Sequence, residues 1–293
     1  MVTLNESFVI GSESILSLYP ILIKSIPTTL PTQIFSRLLT YTAGAGALAT
    51  KDDLLSVVKT PRALGRTLGL GLLTCLHIYV SYVAFSSLSA GVAMSLFYTY
   101  PLWNILGAKV LFNETIHTST YYHMAVGVLG TYLLSTTGLK DEVKGFMKNS
   151  IGSTLGVVTA LLAALTESAM YFAVKTTEKQ NPWSSILELY GGALICILPL
   201  VVLKIIPIEF SLKAWVPIVL FNLLVGFVGY ALRFYAIPKV PTEIFGLLSY
   251  TGVLSAFIFG YLFMKEKPSY ISIIGAIMVA YAASQIETLK SAD

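Results

Sequence analysis

Leu248-Ser-Tyr-Thr-Gly-Val-Leu-Ser-Ala-Phe-Ile-Phe-Gly-Tyr-Leu-Phe-Met264 holds no charged residue and stops at Lys265-Glu266. Counted from residue 241, the run is long enough at 1.5 Å per residue to cross ~30 Å of hydrocarbon as a helix. It lacks the period-two alternation of a membrane barrel strand. With no water to satisfy the backbone, a helix is what remains.

Outward from this stretch, similar blocks fall at about 8–26, 31–50, 66–88, 90–112, 121–138, 150–174, 183–206, 213–236 and 270–287, ten spans in all with 241–264. The first is the weakest, interrupted by Glu13 and several serines. Of 293 residues, 55% are hydrophobic and 12% charged, too few charges to clothe a soluble exterior. Mean hydropathy is +0.77. The fold expected is an all-α integral membrane protein of ten transmembrane helices.

The longest polar connections are 50–66 and 136–149, and the second lies near the middle of the chain. An internal repeat brackets it. Lys24, Pro31 and Arg37 recur as Lys175, Pro182 and Glu188 at an offset of 151. Tyr82 recurs as Tyr230 and Gly127 as Gly275 at 148, and Asn113-Glu114 as Lys265-Glu266 at 152. Two five-helix units are expected, over 1–140 and 150–290. Five spans is an odd number, so the second copy enters the membrane inverted, the layout of many secondary transporters.

Other features bound the function without naming it. A net charge of +4 is spread between helices, without the basic stripe that nucleic acid requires. Cys75 and Cys196 lie inside apolar blocks, which supports neither a disulfide framework nor a zinc site. The first 12 residues carry Glu6 and no basic segment, so the first helix is expected to serve as an uncleaved insertion signal. With a cytoplasmic N-terminus, nine Lys/Arg fall on the cytoplasmic side and eight opposite, which leaves orientation open; the cluster from Lys51 to Arg66 leans toward cytoplasmic termini. No lipidation or retention motif names the membrane. No Gly-x4-Gly-Lys-Ser/Thr loop is present, and no cofactor is expected.

The stretch from Leu248 to Glu266, followed by Gly275-Ala-Ile-Met-Val, resembles the end of an EamA-type repeat, in which an apolar helix closes on an acidic stop before a glycine-containing helix. Tyr100-Pro101-Leu102 through Asn113-Glu114, then Gly127, looks like the first copy of that element, and Arg37 sits where EamA-type second helices often carry arginine. The chain thus resembles the drug/metabolite transporter superfamily over its whole length, which implies export or exchange of a small solute. Glu188 replaces the arginine in the second copy, about four extra residues lie between Glu114 and Gly127, and the lysine-arginine signature of plastid sugar-phosphate exchangers is missing from the ninth span. By analogy with the superfamily, the fifth and tenth spans (121–138 and 270–287) are expected to be peripheral or to join a homodimer.

Ionisable groups within a membrane cost ~2.5–3.5 kcal/mol and usually face a cavity or a partner. Glu167 lies well inside the sixth span, and Glu13 in the equivalent first span aligns with Ala164, nearly one helical turn away. A carboxylate pair binding a proton or cation is the functional reading, similar to the first-helix glutamate of small multidrug transporters; pairing with a lysine or arginine for helix packing is the other. Asn222, Gly226, Gly229 and Arg233 share one helix face, matched on the third span by Thr74, Ile78, Ser81 and Phe85. That face is either a pore wall with Arg233 on an anionic group, or close helix packing with Arg233 snorkelling to the surface near Ile237-Pro238. The position favours snorkelling.

Tyr98, Tyr100 and Asn104, with Glu243 and Tyr250, are cavity-mouth candidates, and Pro101 is a candidate kink. Arg37 and Glu188 are expected to form an ion pair between the halves. His77, without a second ligand nearby, reads as a packing residue, and Glu114 and Glu266 as helix ends. A lipid-modifying membrane enzyme is the alternative, but only His77, His117 and His123 exist, with no paired-Asp motif beside them. The mix of Glu13, Glu167, Glu188 and Glu243 with Arg37 and Arg233 suits a zwitterion such as an amino acid, or an organic cation, and leaves an anionic nucleotide-sugar open.

Overall fold

A computed structural model describes residues 2–26, 28–88, 90–147, 151–177, 181–265 and 267–290. The described residues form helices α1 (Leu4–Leu16), α2 (Tyr19–Ser25), α3 (Leu30–Leu48), α4 (Lys51–Ser56), α5 (Pro61–Ser87), α6 (Ala90–Phe97), α7 (Tyr100–Phe112) and α8 (Thr118–Met147). They continue as α9 (Ile151–Lys175), α10 (Pro182–Ile186), α11 (Gly192–Val202), α12 (Leu212–Phe221), α13 (Val228–Ala236), α14 (Thr242–Met264), α15 (Tyr270–Ser284) and α16 (Ile286–Lys290). π-helical turns at Leu187–Gly191 and Asn222–Phe227 join α10 to α11 and α12 to α13. Among the described residues, five continuous helical stretches are long and apolar enough to cross a bilayer: Pro61–Ser87, Thr154–Lys175, Pro182–Val202, Leu212–Ala236 and Thr242–Phe263.

Local chemistry explains where helices begin and end. Thr3 and Glu6 form a capping box at α1, and Thr60 caps α5 ahead of Pro61. Pro20 and Pro101 each sit second in a helix, α2 and α7, where a missing N–H is tolerated; each ring would clash with the carbonyl four residues back. The segments expected as the first and fourth spans are therefore each broken in two, the fourth at the proline expected to kink it. Asn113 (φ 52°) and Lys265 (φ 55°), 152 residues apart, end α7 and α14 in the left-handed conformation. Glu266 lies outside the described residues. The connection expected over 136–149 is instead helical as far as Met147, in keeping with its Leu, Lys, Glu and Met content.

The packing is reciprocal. α1 lies against α13 and α14, while α9 lies against α5, α6 and α7. α8 and α15 pack on each other, and α3 contacts both π turns. Close crossings need glycine. A Cβ on Gly192 would sit 2.2 Å from the Thr67 carbonyl oxygen, and one on Gly275 would sit 2.5 Å from that of Gly130. On α8 the crossing glycine is thus Gly130; Gly127, its neighbour one turn earlier, abuts Tyr250.

The outside of the bundle is apolar, with Val110, Leu111, Phe263 and Ile277 exposed, whereas Glu13, Glu167, Arg37 and Arg233 are buried. This is the reverse of a soluble protein and the arrangement a hydrocarbon solvent demands. The chain is an integral, multi-pass membrane protein.

Candidate functional site

The centre of the bundle is organised by one arginine. Arg233, on α13, lies between Glu13 of α1 and Glu167 of α9, with Nη1 2.8 Å from Glu13 Oε1 and Nη2 2.8 Å from Glu167 Oε1. All three are at most 2% exposed. Several of these polar atoms, including Arg233 Nε and Nη2, make no aligned hydrogen bond, so charge rather than directional bonding holds the bridge. The snorkelling expected of Arg233 is therefore incorrect. Two buried carboxylates are a stronger lure for a guanidinium than a membrane surface four residues away, because each ion would otherwise stand uncompensated.

Three side chains complete the bridge. His77 of α5 approaches Glu167 Oε2 through Nε2 at 3.0 Å and Thr166 Oγ1 through Nδ1 at 3.0 Å. Tyr98, between α6 and α7, donates to Glu13 Oε2 at 3.2 Å, and Arg233 stacks 4.8 Å above the Tyr100 ring. Tyr98 and Tyr100 thus lie in the buried centre, Tyr98 on the wall of a cavity there. His77 is more than a packing residue. The sequence offered no second group beside it, since Glu167 reaches it only through helix packing.

Arg37 is not paired with Glu188. Glu188, on the first π turn, meets Arg66 of α5 at 2.9 Å. Arg37 instead sits among five tyrosine rings, Tyr19, Tyr41, Tyr82, Tyr190 and Tyr230, with ring centroids 4.6–5.9 Å from its guanidinium carbon. It donates to Tyr190 Oη at 3.1 Å. The sequence reading missed this cage, although Tyr82 and Tyr230, which it had aligned at an offset of 148, both belong to it. Asn222 accepts from Tyr19 at 3.3 Å and donates to Ser36 at 3.2 Å, and the Tyr19 and Tyr41 hydroxyls bond to each other.

Other candidates lie elsewhere. Asn104 accepts from Ser168 at 2.6 Å where α7 meets α9, and Tyr250 donates to the Met124 carbonyl of α8 at 3.3 Å, a packing contact away from the bridge. Gly226 faces the tyrosines. A Cβ there would lie 1.8 Å from Tyr41 Oη and 2.2 Å from Tyr19 Oη. Gly226→Ala is expected to lower stability by ~1–3 kcal/mol through overpacking. Thermal unfolding in detergent tests this, and an unchanged midpoint would show that the tyrosines yield freely.

A cavity of ≈30 Å³ touches Glu13, Arg37, His77, Tyr98, Tyr230 and Arg233, and a smaller one of ≈10 Å³ lies beyond Tyr19 between Gln33, Tyr82, Ile218 and Asn222. The larger has room for about two waters. The cavity is therefore small, with Glu13 and Arg233 of the bridge and Arg37 all on its wall.

One end of the bundle is latched by polar contacts. Lys175, closing α9, meets Glu114 at 2.8 Å, and Thr242, opening α14, donates to the same carboxylate at 2.8 Å. Glu243 binds His117 at 2.8 Å and Thr120 at 2.7 Å, so it closes this end rather than lining a mouth. Asp53 accepts from Asn181 and Ser184, tying α4 to α10. The Lys175–Glu114 pair is partly exposed and worth ~1 kcal/mol at most. Glu114→Gln is accordingly expected to speed amide exchange over residues 237–243 by a few-fold, as mass spectrometry would show; unchanged exchange would mean that the pair does not hold this end.

Residues 154–286 match the EamA-like transporter family. An uncharacterized transporter of Synechocystis sp. (strain ATCC 27184 / PCC 6803 / Kazusa) is 22% identical over 230 residues, which cover 76% of this chain and 66% of that protein, just under two thirds of its length. A solved crystal structure, described only as that of a protein, shares the fold over 98% of both chains with a TM-score of 0.68 at 17% identity. These similarities agree with the superfamily resemblance drawn from the residues.

Proposed function

We propose that this membrane protein, whose second half carries an EamA-like transporter domain, is a secondary transporter that moves a small organic solute by alternating access and couples it to protons. In this reading it has ten spans in two inverted repeats, 1–140 and 150–290. The reciprocal packing of α1 on α13 and α14, and of α9 on α5, α6 and α7, supports the duplication, as does the matched ending of α7 and α14. The outer faces of α8 and α15, with Tyr122, Leu129, Ile274 and Ile277 exposed, are free to meet lipid or a second copy.

The observation that carries the reading is the Glu13–Arg233–Glu167 bridge. Two carboxylates share one guanidinium, so the bridge has an excess negative charge in a place where excess charge is costly. A proton on either carboxylate, or a cationic group of the solute, removes that excess and frees Arg233 from one partner. Since Glu13, Glu167 and Arg233 stand on α1, α9 and α13, changing partners would favour a different arrangement of those helices. His77, touching Glu167 and close to the cavity, is a route by which the proton could arrive.

Purified protein in proteoliposomes tests this. Counterflow of a labelled metabolite, and its accumulation under an imposed pH gradient, are the expected results. Counterflow without any response to the gradient would retain transport and discard proton coupling. Product formation without flux would favour a membrane enzyme.

A further inference from the structure

We propose that Arg37 is the seat for an anionic group of the solute, namely the carboxylate of a molecule that also carries its own cationic group. Arg37 is 3% exposed at the heart of a membrane protein, yet among the described residues no carboxylate lies within ion-pair distance of it. Its contacts are the Tyr190 hydroxyl and the five tyrosine faces, and its Nε has no hydrogen-bond partner. Aromatic faces attract a cation through their quadrupole but cannot cancel its charge. Tyrosine cages commonly receive a cationic ligand. Here the protein's own guanidinium fills that position, which leaves its N–H edge as the feature available to a ligand.

Charge counting identifies the class of ligand. With His77 neutral, the bridge holds two carboxylates against one guanidinium, an excess of one negative charge; Arg37 supplies one positive charge, with no carboxylate in ion-pair contact among the described residues. Glu13, Arg233 and Arg37 border the same cavity. The site's own charges are thus neutral in sum but divided, negative toward α1 and positive toward α3. A simple anion or cation would leave net charge in a desolvated site, whereas a solute with both groups, aligned with the division, adds none. The guanidinium fork suits bidentate binding of a carboxylate. Tyr19, Tyr41 and Tyr82 come from the first half and Tyr190 and Tyr230 from the second, so rearrangement of the halves would open or close the seat.

The proposal rests on the transporter reading, but equilibrium binding tests it separately. The probes are the proteinogenic amino acids, the amines left by removing their carboxylates, and the acids left by removing their amino groups. Each is added at millimolar concentration to purified protein, and the thermal unfolding midpoint is followed. At least one amino acid is expected to raise the midpoint more than its amine or its acid does. Arg37→Gln should weaken that binding by tenfold or more and leave the response to the amine unchanged, and Arg37→Lys, keeping the charge without the fork, should fall between. If Arg37→Gln does not fold, Arg37→Lys alone must still weaken binding several-fold. Equal stabilisation by probes lacking a carboxylate, binding indifferent to Arg37, or no response to any amino acid would each overturn the proposal. Arg37-dependent binding without flux in liposomes would discard transport and keep the seat; flux insensitive to Arg37→Gln would do the opposite.

Discussion

Arg233→Gln is expected to destabilise the protein by ~3–5 kcal/mol, the usual cost of removing one partner from a buried ion pair. The substitution leaves Glu13 and Glu167 facing each other across an uncharged amide, each 2% exposed or less. Two adjacent carboxylates in a low-dielectric interior cannot both remain ionised, so at least one must take up a proton on folding. The thermal midpoint in detergent should fall sharply, and more so as pH rises, because proton uptake then becomes harder. The triple variant Glu13→Gln/Arg233→Gln/Glu167→Gln removes every charge of the bridge and should recover most of the stability while remaining inactive. That non-additivity is the signature of one coupled unit. An Arg233→Gln protein as stable as the wild type would show that the 2.8 Å contacts carry no net energy.

Glu167→Gln is expected to abolish flux driven by a pH gradient, with a loss of about a hundredfold, or ~2.7 kcal/mol, and to flatten the pH dependence of whatever flux persists. Glu167 touches both Arg233 and His77, so an amide there would remove the ionisable group at the junction of the bridge and the candidate proton route. Counterflow, which needs no net proton movement, should survive better than gradient-driven accumulation. Glu13→Gln keeps the Glu167–His77 contact, so its pH profile should shift rather than vanish. Intact transport with an unaltered pH profile in Glu167→Gln would end the case for coupling through this residue.

The sequence reading and the structure agree most closely where local rules suffice. Helix α14 could be read from an uncharged run, and the break ahead of α7 from Pro101. Glu13 and Glu167 stood out because they are acidic within apolar helices. The reading failed where partners mattered. Arg233 was drawn outward by its short distance from Pro238, and Arg37 was matched to Glu188 because the repeat aligned them. Glu188 lies on a π turn and pairs with Arg66 of α5, while Arg37 is ringed by tyrosines from both halves. Tyrosine is so ordinary at membrane interfaces that a cage of five was indistinguishable from scattered anchors until the helices were packed.

The sequence by itself determined that the chain lies in a membrane, that it is helical, and that Glu13 and Glu167 stand as acidic groups within apolar helices. Those outcomes follow from backbone hydrogen bonding and hydrocarbon solvation, which act residue by residue along one helix. Only the tertiary structure decided which charge meets which. Pairing depends on the side chains that two helices remote in sequence present to each other, and no periodicity within one helix encodes its neighbour. The division of the central site, negative at Glu13 and Glu167 and positive at Arg37, is a property of that packing.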